Sequence, residues 1–168
     1  NNINWFIKSW TKRIISYKLL MLNTQILDMN NYVATNVELK PVTENDAEFL
    51  YELLKEREGR INITHKGTPS LDEHLDFVKN HDYASWNIIW ANDQKVGNIY
   101  LTQRDEIGIF ILKKFQGLGY GSDALKQFMK KNGKKRYLAN INPTNYKSIQ
   151  FFGKQGFLHI QNTYHKKF

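Results

Sequence analysis

The stretch Lys113–Leu125, KKFQGLGYGSDAL, puts three glycines (Gly117, Gly119, Gly121) within five residues, two lysines ahead of them and a helix-forming run behind. Glycines let backbone amides converge, and the first turn of a helix leaves N–H groups without intrahelical partners. With Lys113 and Lys114 adding positive potential, the stretch reads either as a flexible turn or as a phosphate cradle at a helix N-terminus. It is not a Walker A loop, which needs a Lys-Ser/Thr pair at the helix start. Nor is it the dinucleotide fingerprint G-x-G-x-x-G, because Ser122 stands where the third glycine belongs and the preceding strand is not the first.

Working outward, EIGIFIL (residues 106–112) before the loop is apolar on nearly every side, as a central strand is. The helix after the loop is expected from Ser122 to about Asn132, closed by Gly133. KRYLANI (135–141) reads as a strand, NPTN (142–145) as a turn, and NYKSIQFFGKQ (145–155) as a helix ended by Gly156. On that helix Asn145 and Ser148 share a face near the N-terminus, and Phe151 and Phe152 point to the core. The tail FLHIQNTYHKKF is expected to add one or two strands.

Upstream, Val37–Val42 alternates as a first strand, with Pro41 marking an edge or a terminus. TENDAEFLYELLKER (43–57) is a helix capped by Thr43 that buries Phe49, Leu50, Leu53 and Leu54. INITHKGTP (61–69) is a loop. SLDEHLDFVKNH (70–81) carries a Ser70/Glu73 capping box and is expected to bury Leu71, Leu75 and Val78. SWNIIWA (85–91) and KVGNIYLT (95–102) are strands joined by the hairpin signal Asn92-Asp93. The expected fold class is therefore α/β: a mixed, mostly antiparallel central sheet flanked by helices. Residues 1–36 read as an extension. Ile3, Ile7, Trp10, Ile14, Tyr17 and Met21 make one apolar helical stripe, suited to packing on the protein's own core or to a homodimer contact, with a membrane-surface helix as the alternative.

The chain has 168 residues, 41% of them hydrophobic, a formal net charge of +8 and no cysteine. That suits one domain with a sizeable core and excludes disulfides and thiolate chemistry. A basic balance favours an anionic partner: nucleic acid, a membrane surface or a phosphorylated small molecule. The lysines are spread along the chain and no RNA-type aromatic motif is present, so nucleic acid is not the expected partner. No apolar run of about 20 residues suggests a membrane span, and a cytoplasmic location is the default expectation.

Two stretches in this order resemble the GNAT superfamily of acetyl-CoA-dependent N-acetyltransferases. Gln116, Gly117, Leu118, Gly119, Tyr120 and Gly121 resemble its Q/R-x-x-G-x-G/A loop. Asn145 to Phe157 resemble its N-x-x-S-x-x-F-[YF]-x-x-x-G-F segment. The resemblance covers residues 37–168. It implies acetyl-CoA as cofactor, with the pyrophosphate held by amides of Gln116 to Ser122, pantetheine paired with Phe110, Ile111 and Leu112, and Asn145, Ser148 and Phe152 also at the cofactor. It implies an oxyanion role for the amide near Ile111 and no metal. Glu106 is the candidate base, and His65, His74, Tyr100 and Gln103 are candidate acceptor-site residues. Phe152 departs from the pattern, since many relatives carry a tyrosine there as general acid. The implied activity is acetyl transfer to a primary amine on a small molecule such as a nucleotide-linked amino sugar. A protein N-terminus is the alternative acceptor, and a non-catalytic CoA-binding domain or a nucleic-acid-binding protein are alternatives of other classes.

Overall fold

The computed structural model describes residues 36–57, 67–164 and 166. The chain divides into Asn1–Thr35 and Asn36–Phe168. The expected amphipathic helix and His65 lie outside the described residues.

Four strands form one antiparallel sheet in the order β1-β2-β3-β4: β1 Val37–Pro41, β2 Ser85–Ala91, β3 Gln94–Leu101 and β4 Ile107–Ile111. Pro41 ends β1, an outer strand of this sheet, where its missing N–H disturbs no ladder. Asn92 (φ 49) and Asp93 (φ 61) both take the left-handed conformation that a tight β2–β3 hairpin needs, and these residue types tolerate it. A bulge near Ile89/Trp90 places Val96 opposite no β2 residue.

Helices α1 (Ala47–Lys55) and α2 (Leu71–Asn80) cover one face of the sheet, and α3 (Tyr120–Asn132) and α4 (Tyr146–Lys154) the other. The α3/α4 face buries Val37, Ile89, Val96, Ile99, Leu101 and Ile107 against Ala124, Leu125, Phe128 and Phe152. The α1/α2 face buries Ile88 and Trp86 against Leu50, Leu53 and Val78, with Tyr100, Phe110 and Leu112 half-buried beside them. A short 3-10 turn, Glu44–Asp46, replaces the first turn of the helix expected from Thr43. The Asp46 carboxylate accepts from the Thr43 amide at 2.8 Å and pairs with Lys95 at 2.7 Å. Burial alone would raise the Asp46 pKa, but these partners hold it below the ordinary carboxylate value.

Two expectations are corrected here. Leu71 and Leu75 are more than two-fifths exposed, and α2 instead buries His74 and Val78 against α1. The helix is rolled so that the i, i+4 pair 74/78 faces inward. Residues 135–141 do not form a strand, and neither do the described residues of the tail, where Leu158 and Ile160 are exposed. Only Leu138 pairs, in a parallel bridge to Glu106, because the chain then diverges from β4. An apolar alternation makes no ladder where the chain does not run alongside the edge it would pair with.

Candidate functional site

The site is built where β4 ends. Leu112 N donates to Val96 O at 2.9 Å, and Thr102 N to Glu106 O at 2.9 Å. These bonds set the alternation: Gly108, Phe110 and Leu112 turn their amides to β3, while Ile107, Ile109 and Ile111 turn theirs to the opposite edge, so of the expected pantetheine partners Phe110 and Leu112 are engaged within the sheet and Ile111 alone is not. Ile107 N meets Leu138 O there at 2.7 Å. Beyond that bridge the edge is open, and the amides of Ile109 and Ile111 have no backbone acceptor among the described residues. The Ile111 carbonyl accepts from the Gln116 side chain at 2.9 Å. The sheet thus opens into a fork whose inner wall is the outer edge of β4.

At the mouth of the fork the chain makes a 3-10 turn, Lys113–Phe115, then the glycine loop, then α3. Gly117 (φ 82) and Gly119 (φ 87) take left-handed backbone that a side chain would strain. The amides of Gly117, Leu118, Gly119, Tyr120 and Gly121 donate to no backbone carbonyl among the described residues. Those at the two ends of the expected cradle are engaged: Gln116 N donates to Lys113 O at 3.2 Å and Ser122 N to Gly119 O at 3.0 Å. Five consecutive amides at a helix N-terminus, with Lys113 and Lys114 beside them, suit an anion with several oxygens. Gly121 packs closely: a Cβ there would stand 3.4 Å from the Phe151 ring and 3.5 Å from Ile111. Helix α4 is thereby held beside α3, an arrangement also fixed by the Gln155–Ser122 side-chain bond at 3.1 Å.

Asn145 caps α4, its Oδ1 accepting from Ser148 N at 3.1 Å, which leaves the Asn145 amide nitrogen available. Phe152 is 7% exposed and meets Phe151 and Phe157 edge-on, so it is a core ring and carries no proton to donate. Tyr120 is tied to Asn92, whose side chain donates to its hydroxyl at 3.3 Å. Leu118 is exposed.

On the α1/α2 face, Glu106 lies on the same side of β4 as Gly108 and Phe110. It is half-buried, and its carboxylate accepts from the Thr102 hydroxyl at 3.4 Å. The Arg57 guanidinium lies 5.3 Å from the Phe110 ring centre. The other expected acceptor-site residues are drawn apart. His74 is 6% exposed between α1 and α2, with Nε2 3.1 Å from Ala47 O, and burial lowers its pKa. Gln103 ties its loop to the one before β2, donating to Asp82 O at 2.9 Å. Tyr100 remains on the sheet beside Gly108, stacked on Tyr83. Arg57 and Tyr83 are additions that the sequence did not single out; the aromatic run from Phe77 to Trp86 was the available signal. Among the described residues, no group of three or more His, Cys, Asp or Glu side chains could hold a metal, and no helix is long and apolar enough to cross a membrane.

A family model described as an acetyltransferase (GNAT) domain matches residues 36–158. The chain belongs to the GNAT acetyltransferase domain family. No curated protein matches it. Solved structures of the GNAT fold do. A domain from Methanocaldococcus jannaschii has TM-score 0.66 and 23% identity, covering 77% of this chain and 92% of that one. An acetyltransferase from Thermus thermophilus has TM-score 0.62 and 23% identity, with coverages of 75% and 89%. RimL, a ribosomal L7/L12 alpha-N-protein acetyltransferase solved with coenzyme A, has TM-score 0.58 and 18% identity, with coverages of 73% and 80%. At these identities the likeness is one of fold. The GNAT domain here keeps both halves of the motif pair on the elements that flank the fork.

Proposed function

We propose that this GNAT domain transfers an acetyl group from acetyl-CoA to a primary amine by direct attack. The carrying observation is the edge of β4, open among the described residues, running into a glycine loop with five amides that lack backbone partners among them. The residues fit the cofactor: the loop amides and Lys113 and Lys114 suit its pyrophosphate, and the β4 edge offers Ile109 and Ile111 to a pantetheine arm as to a further strand. Asn145, at the start of α4, has an amide nitrogen to offer the same arm. Acetyl-CoA supplies the activated thioester. The Ile111 amide, held by the β4 ladder and by Gln116 on its carbonyl, stabilises the developing oxyanion without having to reorganise. Glu106 is the base for the amine, which is mostly protonated at neutral pH. Phe152 supplies no proton, so the thiolate leaves into water.

Two measurements test the reading. Acetyl-CoA at a hundred times its Kd should stabilise the chain by about 2.7 kcal/mol, read as a raised melting temperature. Gly119→Val should remove that shift, because a side chain there strains the loop and crowds the amides. Thiol release with a panel of amines should then identify the acceptor. No thermal shift at millimolar acetyl-CoA would refute the cofactor assignment. A shift without thiol release from any amine would leave a binding domain and not an enzyme.

A further inference from the structure

Position 108, in the middle of β4, is a glycine for a steric reason. A Cβ there would lie 2.2 Å from Cζ and 2.4 Å from Oη of Tyr100, so the hydroxyl end of that ring lies directly over Gly108. The other side of the ring is covered by Tyr83, with centroids 4.5 Å apart and planes 15° apart. Tyr83 is braced in turn by Trp86 at 5.2 Å, Phe77 at 5.8 Å and His81 at 5.5 Å. A tyrosine clamped on both faces keeps one orientation. Tyr100 is half-buried, and its hydroxyl, without a hydrogen-bond partner among the described residues, is left for solvent or a ligand. It stands over the strand whose outer edge forms the fork, and its neighbours along that strand on the same face are Glu106 and Phe110.

We propose that Tyr100 is a catalytic residue, whose hydroxyl binds the attacking amine and relays its proton to Glu106. This rests on the acetyltransferase reading above. The ammonium proton is lost to solvent before attack; as the N–C bond forms and the C–S bond breaks, a second proton of the amine passes to the phenol oxygen while the phenol's own proton passes through water to the Glu106 carboxylate. The thiolate takes a proton from water, and Glu106 returns its proton to solvent. The phenol that α4 lacks at Phe152 is thus matched by one on β3, acting on the amine and not on the leaving thiol.

Tyr100→Phe is the test, because it keeps the ring, the stack and the contact with Gly108. It should lower kcat about tenfold to a hundredfold, the range for losing one hydrogen bond to a charged reacting group. The thermal shift by acetyl-CoA and the KM for acetyl-CoA should be unchanged. A second readout is independent of turnover. In the dead-end complex of CoA with an accepted amine, Tyr100 should be protected from nitration by tetranitromethane, while exposed Tyr164 reacts as before. Wild-type turnover retained by Tyr100→Phe, or full nitration of Tyr100 in the dead-end complex, overturns this assignment alone. A wild-type chain that acetylates no amine overturns it together with the reading beneath it.

Discussion

Single atoms decide much of this site. Gly97 on β3 faces β4 so closely that a Cβ would lie 2.2 Å from the Phe110 carbonyl oxygen and 3.1 Å from Ile111 Cα. Those are backbone atoms and cannot swing away. Gly97→Ala should therefore destabilise the fold by about 1–3 kcal/mol in equilibrium urea unfolding, and should weaken acetyl-CoA binding by displacing the strand that carries Ile111. An alanine variant of wild-type stability would mean that β3 and β4 can part without penalty. At this scale the sequence was legible where chemistry is local. The glycines of the loop, the cap at Asn145 and the departure at Phe152 could all be read from residue types and spacing. Gly97 and Gly108 could not, because what forbids their side chains comes from another strand. Tyr100 was readable as a neighbour of the acceptor, but its clamp depends on Tyr83, which lies on a loop seventeen positions earlier in the chain.

Elements show the same division. β1 to β4, the hairpin and the four helices of the described residues were legible, since each carries its own period or cap. The strand expected at 135–141 was not settled by its pattern, because whether a strand forms depends on the chain running beside an edge. Here β4 accepts Leu138 and then leaves the neighbouring chain unpaired. The burial of α2 was misread for a related reason: its inner face is chosen by α1, which receives His74 at the Ala47 carbonyl. That packing has a measurable consequence. Burial holds the His74 pKa below its ordinary 6.5, with the Ala47 carbonyl opposing in part. The folded chain binds this proton less readily than the unfolded one. The stability it contributes is therefore complete above 6.5 and is lost as pH falls below that value toward the lowered folded one. Urea unfolding at about pH 5.5 should give a lower free energy than at about pH 7.5, by up to about 1.4 kcal/mol per pH unit of the window. His74→Gln, which keeps a donor for Ala47 O, should shrink the difference; an unaltered difference would place the titrating group elsewhere.

For the whole molecule, the described members of both hydrophobic clusters lie between Val37 and Phe157. A chain starting at Asn36 should accordingly unfold cooperatively and keep its acetyl-CoA shift, as differential scanning fluorimetry can show. Loss of cooperative melting would make the first 35 residues part of the core. The charge is divided as well. Residues 1–27 carry four basic and no acidic side chains, half of the +8 excess. The shortened chain is thus the cleaner probe of how far the loop lysines themselves draw in a polyanion, read from the salt dependence of binding.

The contact between Tyr100 and Gly108 reaches beyond one protein. Two positions eight residues apart share a single volume, so position 108 cannot gain a side chain while the ring at 100 stays. A lineage that gives position 108 a side chain must first give up the ring at 100, and a lineage that keeps the ring must keep the glycine. Sequences of this fold that carry a side chain at the position of Gly108 should lack a ring at the position of Tyr100, which makes those two columns a signature that can be read without solving another structure.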